Sequence, residues 1–401
     1  MSERVITPVN RGFLFLDAHP AGCRTTVEQM WASVPEAPAA AAPGARRPTA
    51  LVVGSSAGYG LAATVAGLAR YGVRGVGVCL EKAPGRRTGT AGWYRTAATA
   101  DLARAAGNDF AFVNGDAFSD DVKGRVADLL AERYGKVDYL VYSVAAPRRT
   151  DPETGVTHTS VLKPLGAPYS TKTLVFDGDQ AEVRTVTTDP ASDADTAHTV
   201  AVMGGADWRR WIDHLDEADL LAEGVSTAAL TYIGSPLTAG IYRNGTIGAA
   251  KADLEATARE LNSRLAQRRG GRAVTSVNAA AVTQSSTAIP GIALYVGLLR
   301  GVLGDAMLSP TAQLVDLWDQ LTGTTDLVAD DEGRVRLDRW ELDTSVQDAV
   351  AARWHDATDT TVRDLADLDW FTAEVRRLYG FDVPGVDYTA PTETDVPWPS
   401  L

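Results

Sequence analysis

"TALVVGSSAGYGLAATVAGLARYGVRGVGVCLE", residues 49–81, decides the fold. An apolar run, Ala50 to Val53, meets a turn holding Gly54, Gly58 and Gly60; a helical pattern follows, and a second apolar run closes on Glu81. That order predicts a β-α-β unit. Glycines between a strand and a helix let the backbone approach a pyrophosphate, and the helix N-terminus offers free N–H groups with a partial positive charge. Glu81 stands 21 residues after Gly60, where an acid can accept from a ribose 2'-hydroxyl. Its charge repels a 2'-phosphate, so NADH is favoured over NADPH. Lys82, Arg86 and Arg87 weaken that preference, since any of them can fold back onto such a phosphate. A solvated strand end is the plainer reading of Glu81, and the context ranks that reading below the functional one.

Outward from this unit, strand-like "FAFVNGD" (110–116) and "VDYLVYSVAA" (137–146) flank helical "DDVKGRVADLLAERYG" (120–135). Strands and helices alternate as a doubly wound parallel sheet requires, so the fold class is α/β of the Rossmann type. Between residues 150 and 205 the pattern loosens into short strands and turns, which reads as an insertion over the sheet's carboxyl edge that covers substrate. Helical "DWRRWIDHLDEADLLAEG" (207–224), strand-like "STAALTYIGS" (226–235), a long helix after Gly245 and strand-like "RAVTSVNAAAVTQ" (272–284) resume the alternation. The last hundred residues are helical and acidic. Asp116 ends the third strand pattern, where it can hold an adenine edge or simply form a turn.

The 401 residues are 45% hydrophobic, enough to bury a substantial core. A net charge of -13 speaks against binding the nucleic-acid backbone, which basic patches perform, and leaves small molecules or proteins as partners. Two distant cysteines, Cys23 and Cys79, suggest neither a disulfide framework nor a metal site, and they fit a reducing cytoplasm. The amino-terminal stretch lacks a basic segment followed by an apolar run, so no secretory signal is expected. The most apolar stretch, 288–308, is interrupted by Pro290, Arg300 and Asp305 and reads as a core or pocket helix, with no stable membrane insertion. The Ala/Pro-rich segment 36–48 is expected to be a surface connection.

"IYRNGTIGAAKADLE" (241–255) places Lys251 nine positions after Tyr242. On one continuous helix that is about 2.5 turns, which sets the two side chains on opposite sides. They converge only if Tyr242 lies in a loop and Lys251 early in the helix, with Gly245 and Thr246 supplying the break and Thr246 the N-cap. A phenol beside an ammonium is a better acid, suited to an oxygen that turns negative as hydride arrives. A ketoreductase on this fold would want a lysine four residues after its tyrosine, and neither Tyr232 nor Tyr242 has one. A nucleotide-binding sensor or scaffold that has lost turnover is the other alternative.

A family resemblance rests on "RGFLFLDAHPAGC", "AGYGLA", "EKAPGRRTGTAGWY", "NGDAFSDDVK", "YSVAAPRRTDPETG", "VMGGADWRRWID", "TYIGSPLTAGIYRNGTIGAAKADLE", "VTQSSTAIP" and "YGFDVPGVDY". Together they resemble the FabV-type trans-2-enoyl-CoA and enoyl-acyl-carrier-protein reductases along nearly the whole chain. The resemblance implies a single enlarged short-chain-dehydrogenase-like domain over residues 1–401, monomeric, reducing enoyl-CoA or enoyl-acyl carrier protein with NADH. It implies Tyr242 as proton donor, Lys251 as the cofactor-binding lysine and Tyr232 as the tyrosine that contacts substrate. Gly54, Ser55, Ser56, Ala57, Gly58 and Tyr59 resemble the pyrophosphate loop, and Leu80 with Glu81 the ribose site. Asp116 and Ala117 correspond to adenine contacts, Val144 and Ala145 to cofactor contacts, and Ala280, Ala281, Val282 and Thr283 to the loop beside the nicotinamide.

The chain departs from the family where "NAAAV" lacks a lysine after the asparagine, and where "GWYR" carries Arg95 in place of asparagine. Segment 36–48 and "TTDPASDADTAHT" (187–199) look peculiar to this chain and are expected to be exposed loops. His19, beside a proline, reads as structural; Trp93 and Trp208 read as core or pocket wall. Arg148 and Arg149 suit either the phosphates of a coenzyme A or carrier arm or pairing with the chain's own acids.

Overall fold

A computed structural model describes residues 3–37, 46–177 and 180–400. Residues 38–45 of the Ala/Pro-rich connection lie outside the described residues. Helix α1 (Pro20–Ala32) begins at His19, whose Nδ1 accepts the Gly22 N–H at 3.1 Å, so this histidine is a helix cap. The expected unit follows as β1 (Thr49–Val53), α2 (Gly58–Tyr71) and β2 (Arg74–Cys79). Next come α3 (Ala91–Ala105), β3 (Phe110–Asn114), α4 (Asp120–Leu129) and β4 (Val137–Tyr142). The insertion holds an antiparallel hairpin, β5 (Tyr169–Asp177) with β6 (Gln180–Thr188), and then α5 (Asp193–Met203). The alternation resumes with α6 (Ala206–Glu217), β7 (Leu221–Thr231), α7 (Thr246–Arg269) and β8 (Arg272–Val277). The final part is α8 (Ile292–Leu303), α9 (Pro310–Thr322), β9 (Arg334–Arg336), α10 (Thr344–Asp356), α11 (Val362–Leu365) and α12 (Leu368–Arg377).

Seven strands form one parallel sheet in the order β9-β8-β7-β4-β1-β2-β3. The strand order reverses between β1 and β4, which opens a crevice at their carboxyl ends. Along β1 the side chains alternate: Leu51 and Val53 face Trp208, Trp211 and Leu261 of α6 and α7, while Ala50 and Val52 face Ala62, Ala66 and Trp318 of α2 and α9. Burial on both faces explains why the strands read as continuous apolar runs. A third apolar cluster, around α8, α10 and α12, gathers Ile6, Phe15 and Leu174 with Tyr242, Ile247 and Ala280. The apolar 288–308 stretch supplies its centre, from Ile292 to Leu299, as a core or pocket helix was expected to, while Gly304, Asp305, Ala306 and Leu308 are exposed.

Four expectations need correction. The 187–199 segment is not loop throughout, because Ser192 and Asp195 cap each other's backbone and start α5, which buries Thr199. Helix α6 stops at Glu217, and β7 begins at Leu221, earlier than "STAALTYIGS" suggested. Asp219 takes a left-handed backbone (φ 53°) that breaks the helix, and Leu221 pairs with Val137 of β4. Strand β8 ends at Val277, leaving residues 278–284 as loop over the crevice. Thr246 is not the cap of α7: Gly245 occupies that position, and the Thr246 hydroxyl donates instead to the Val161 carbonyl at 2.5 Å.

Candidate active site

The carboxyl ends of β1, β2, β4, β7 and β8 surround a cavity of about 520 Å³. Its nucleotide end is built from close backbone approaches. Gly54, at φ 92°, lies against the Ser143 carbonyl, and a side chain on Gly60 would strike the Gly54 carbonyl oxygen, so the turn accepts neither as alanine. Helix α2 starts at Gly58 with no side-chain cap, which leaves its first N–H groups for an anion. Ser55 is folded away, its hydroxyl on the Val78 carbonyl, and it is absent from the cavity wall, whereas Gly54, Ser56, Ala57, Gly58 and Tyr59 line it.

Glu81 reaches the wall at the end of β2. Its Oε1 accepts the Ser56 hydroxyl at 2.5 Å and its Oε2 accepts the Thr90 hydroxyl, so the carboxylate is fixed, with lone pairs left for a ribose hydroxyl. The Asn114 side chain holds the Glu81 backbone from both sides, accepting its N–H at 2.8 Å and donating to its carbonyl at 3.0 Å. Lys82, Arg86 and Arg87 do not line the cavity, and Arg87 lies 3.9 Å from Asp17. The group therefore fits NADH. Replacing Glu81 with glutamine keeps the shape and removes the charge; the ratio of kcat/KM for NADH to that for NADPH should fall at least about tenfold, roughly 1.4 kcal/mol. An unchanged ratio in steady-state assays with both nucleotides would remove Glu81 from the selection.

Leu80, Asp116, Ala117, Val144 and Ala145 also line the wall. Asp116 is a turn former as well, accepting the Phe118 N–H at 3.0 Å. Beyond β8, Ala280, Ala281 and Thr283 face the cavity while Val282 does not. Asn278 enters the wall unforeseen: it is 1% exposed, and neither its amide oxygen nor its nitrogen has a partner among the described residues. Orphan polar atoms of this kind are ready for a polar ligand. Arg95 lies elsewhere, 3% exposed and donating to the carbonyls of Arg377 and Leu378 at the end of α12. Trp93 and Trp208 are core residues.

Tyr242 and Lys251 do meet on one cavity. Tyr242 sits in a turn before α7, where its N–H donates to Thr238 and its carbonyl accepts from Gly245 at 3.1 Å; Lys251 lies in the second turn of the helix. Gly248 makes the arrangement possible. A Cβ there would fall on the Arg243 carbonyl and 2.5 Å from the Tyr242 carbonyl oxygen, so only glycine lets helix and turn approach this closely. The Tyr232 ring meets the Tyr242 ring edge to face, centroids 4.8 Å apart. No described residue of 150–205 lines the cavity; the insertion braces the Tyr242 turn from outside, through Val161, Lys163 and a bond from the Tyr169 hydroxyl to the Leu237 carbonyl at 2.8 Å.

The electrostatics reverse one expectation. Tyr242 is not made a stronger acid by Lys251. Burial removes the water that would stabilise its phenolate, the nearby Glu341 charge opposes it further, and the phenol is held above its ordinary range. Burial likewise pushes the Lys251 ammonium down to about 8, against the pull of Glu255. Lys251 is therefore charged at neutral pH and loses its proton as the pH rises through about 8. If its ammonium holds the cofactor, KM for NADH should climb across that interval in wild type and stay flat and high in Lys251→Ala; a flat wild-type profile in the same titration would deny the lysine that contact.

Glu341 escaped the sequence reading. It is fully buried behind the cavity wall, with Oε1 accepting the hydroxyls of Tyr232 at 2.9 Å and Tyr295 at 2.7 Å, and Oε2 accepting the Ala280 N–H at 2.5 Å. Among the described residues, no group of three or more His, Cys, Asp or Glu is placed to hold a metal. No single helix among them is long and apolar enough to cross a membrane.

Three family models match the chain: an NAD(P)H binding domain of trans-2-enoyl-CoA reductase over residues 5–86, a trans-2-enoyl-CoA reductase catalytic region over 87–321, and an enoyl reductase FAD binding domain over 329–392. An enoyl-[acyl-carrier-protein] reductase [NADH] of Streptomyces avermitilis is 63% identical, covering 98% of this chain and 99% of its own. The crystal structure of Treponema denticola trans-2-enoyl-CoA reductase in complex with NAD is 37% identical with a TM-score of 0.89, covering 98% of each chain. That of the Clostridium acetobutulicum trans-2-enoyl-CoA reductase in complex with NADH is 33% identical, also with a TM-score of 0.89, covering 96% of this chain and 97% of the other. The 329–392 segment gives no residue to the cavity wall, and its Val350, Val362, Leu368, Phe371 and Val375 are buried in the cluster around α8. That packing does not fit a flavin.

Proposed function

The chain belongs to the trans-2-enoyl-CoA reductase family, and from that premise we propose how its residues reduce the C2=C3 bond of a trans-2-enoyl thioester. The observation that carries the reading is the convergence of Tyr242 and Lys251 on the cavity whose other end is the glycine turn and Glu81. When bound there, NADH supplies the hydride that adds to C3. Glu81 accepts from the ribose, and Lys251 orients it. Tyr242, protonated and with a hydroxyl that no described residue bonds, donates to the thioester oxygen as negative charge develops on it. C2 takes its proton from water or through the tyrosine.

We assign the carrier-protein thioester as substrate, with the coenzyme A thioester accepted through the same phosphopantetheine arm; the name of the Streptomyces avermitilis relative supports the first and the matched family models the second. Arg149 is occupied, donating to the Ala201 carbonyl at 2.8 Å and lying 3.7 Å from Asp151, so the exposed Arg148, next to Pro147 on the cavity wall, is the arginine offered to the arm's phosphate. Residues 1–401 act as one enlarged domain, a reading supported by a single sheet that crosses all three matched segments. We place the enzyme in the cytoplasm as a monomer; the free, buried Cys23 and Cys79 are in keeping with a reducing compartment. The test is NADH consumption by the purified protein with crotonyl-CoA and with an enoyl-acyl carrier protein. Consumption with either carries the reaction, and the ratio of kcat/KM assigns the carrier; NADH binding without consumption would instead make the chain a sensor or scaffold.

A further inference from the structure

We propose that Glu341 is a positioning residue that commits the Tyr232 proton inward, so that Tyr232 offers the cavity only an acceptor and Tyr242 is the one phenol able to donate. The inference rests on the enoyl-reductase reading above and adds to it the reason why two tyrosines in contact take different roles.

The directions of the hydrogen bonds follow from chemistry. An ionised carboxylate accepts and never donates. Both phenols on Oε1 must therefore donate, Tyr232 at 2.9 Å and Tyr295 at 2.7 Å. Tyr295 also accepts the Gln347 amide N–H at 3.0 Å, which closes its hydrogen-bonding and fixes its proton on Glu341. Oε2 is held by the Ala280 N–H at 2.5 Å, so the carboxylate cannot turn away. Tyr232 lines the cavity with its proton pointing out of it, and its ring touches that of Tyr242. One carboxylate thus ties together the end of β7, the loop after β8 and helix α8.

Replacing Glu341 with glutamine inverts this order without changing size. The amide oxygen takes the Ala280 N–H, and the amide NH2 then faces the two phenol oxygens. Tyr232 becomes an acceptor from that amide and its own proton turns to the cavity, where it competes with Tyr242 for the thioester oxygen. The same release follows when Glu341 itself takes up a proton. Its surroundings are Tyr232 just after β7, Tyr295 from α8, the Gln347 amide from α10, the Ala280 N–H, Tyr242, and Asp338 with its partner Arg336 at 2.7 Å. Burial there pushes the carboxyl up to about 7, which brings protonation into the working range.

The experiment compares wild type, E341Q, Y232F and the double variant by NADH oxidation with crotonyl-CoA, with NADH affinity and thermal midpoint measured on each. In E341Q, kcat should fall about tenfold while KM for the enoyl thioester does not rise and NADH affinity holds. Once Tyr232 is phenylalanine, E341Q should cost nothing further, because the misdirected proton is gone. Additive losses in the double variant would make Glu341 a merely structural residue and overturn the proposal. Should E341Q fail to fold, the wild-type kcat profile decides: an acidic limb near pH 7 that disappears in Y232F supports the proposal, and one that persists unchanged in Y232F overturns it. A wild type that oxidises no NADH with any enoyl thioester sinks the enoyl-reductase reading itself, whereas additivity in an active enzyme sinks only the role of Glu341.

Discussion

Tyr242→Phe should lower kcat for the enoyl thioester by about 10²–10⁴-fold, the range of a lost proton donor, and leave NADH affinity close to wild type. The ring remains in place in this variant. Its packing against Tyr232, at 4.8 Å between centroids, and its seat in the apolar cluster around α8 do not depend on the hydroxyl. Nothing among the described residues bonds that hydroxyl, so its removal leaves no orphaned partner behind and stability should change by well under 1 kcal/mol. On the role proposed for Tyr242, the loss falls on an interaction made as the thioester oxygen turns negative. Stopped-flow fluorescence of NADH binding together with steady-state kcat separates the two quantities; full turnover in the phenylalanine variant would dismiss Tyr242 as donor.

Gly248→Ala should be nearly as damaging, though the residue touches neither reactant. The new methyl meets two backbone carbonyls, those of Arg243 and Tyr242, and neither is the movable end of a side chain. Turn and helix must part. Lys251 travels with the helix and Tyr242 with the turn, so their separation shifts by something near an ångström, a displacement that costs about 10²-fold in rate. Overpacking of this kind also destabilises by about 1–3 kcal/mol. The expected result is a collapsed kcat/KM in a protein that still melts cooperatively at a lower midpoint. Near-normal kinetics in that variant would mean that the turn and helix can separate without moving the pair.

Much of the fold is legible in the sequence because its signals are local. The Ala50–Val53 run, the glycine turn and the acid at 81 lie within one supersecondary unit, and the sheet repeats that unit's logic as far as β8. The convergence of Tyr242 with Lys251 is legible too, since only a break at Gly245 reconciles their spacing with one site. What the sequence hides is whatever depends on distant segments meeting. Glu341 is 90 residues beyond Lys251, in a stretch with no periodic feature to announce a buried carboxylate. Nothing in the sequence marks Asn114 as the residue whose side chain holds the Glu81 backbone. The acidity of Tyr242 is misjudged for the same reason: spacing along the chain says nothing about solvation, and burial, with the Glu341 charge nearby, holds the phenol above its ordinary range. Thr246 looks like a cap because its type is right, yet the inserted segment supplies a carbonyl that claims its hydroxyl first.

The late position of Glu341 also orders the birth of the enzyme. A chain still on the ribosome at residue 330 already carries the glycine turn, Glu81, both tyrosines and Lys251, but not the carboxylate that accepts the Tyr232 hydroxyl nor the Arg334–Arg336 edge of the sheet. Synthesis runs from the amino terminus, and a domain completes only when its last partners emerge. The glycine turn and Glu81 are therefore encoded in the first quarter of the message, and the carboxylate that holds the Tyr232 hydroxyl in its last fifth. A nonsense codon in that final stretch leaves the whole nucleotide turn translated and the tyrosine pair without its arbiter.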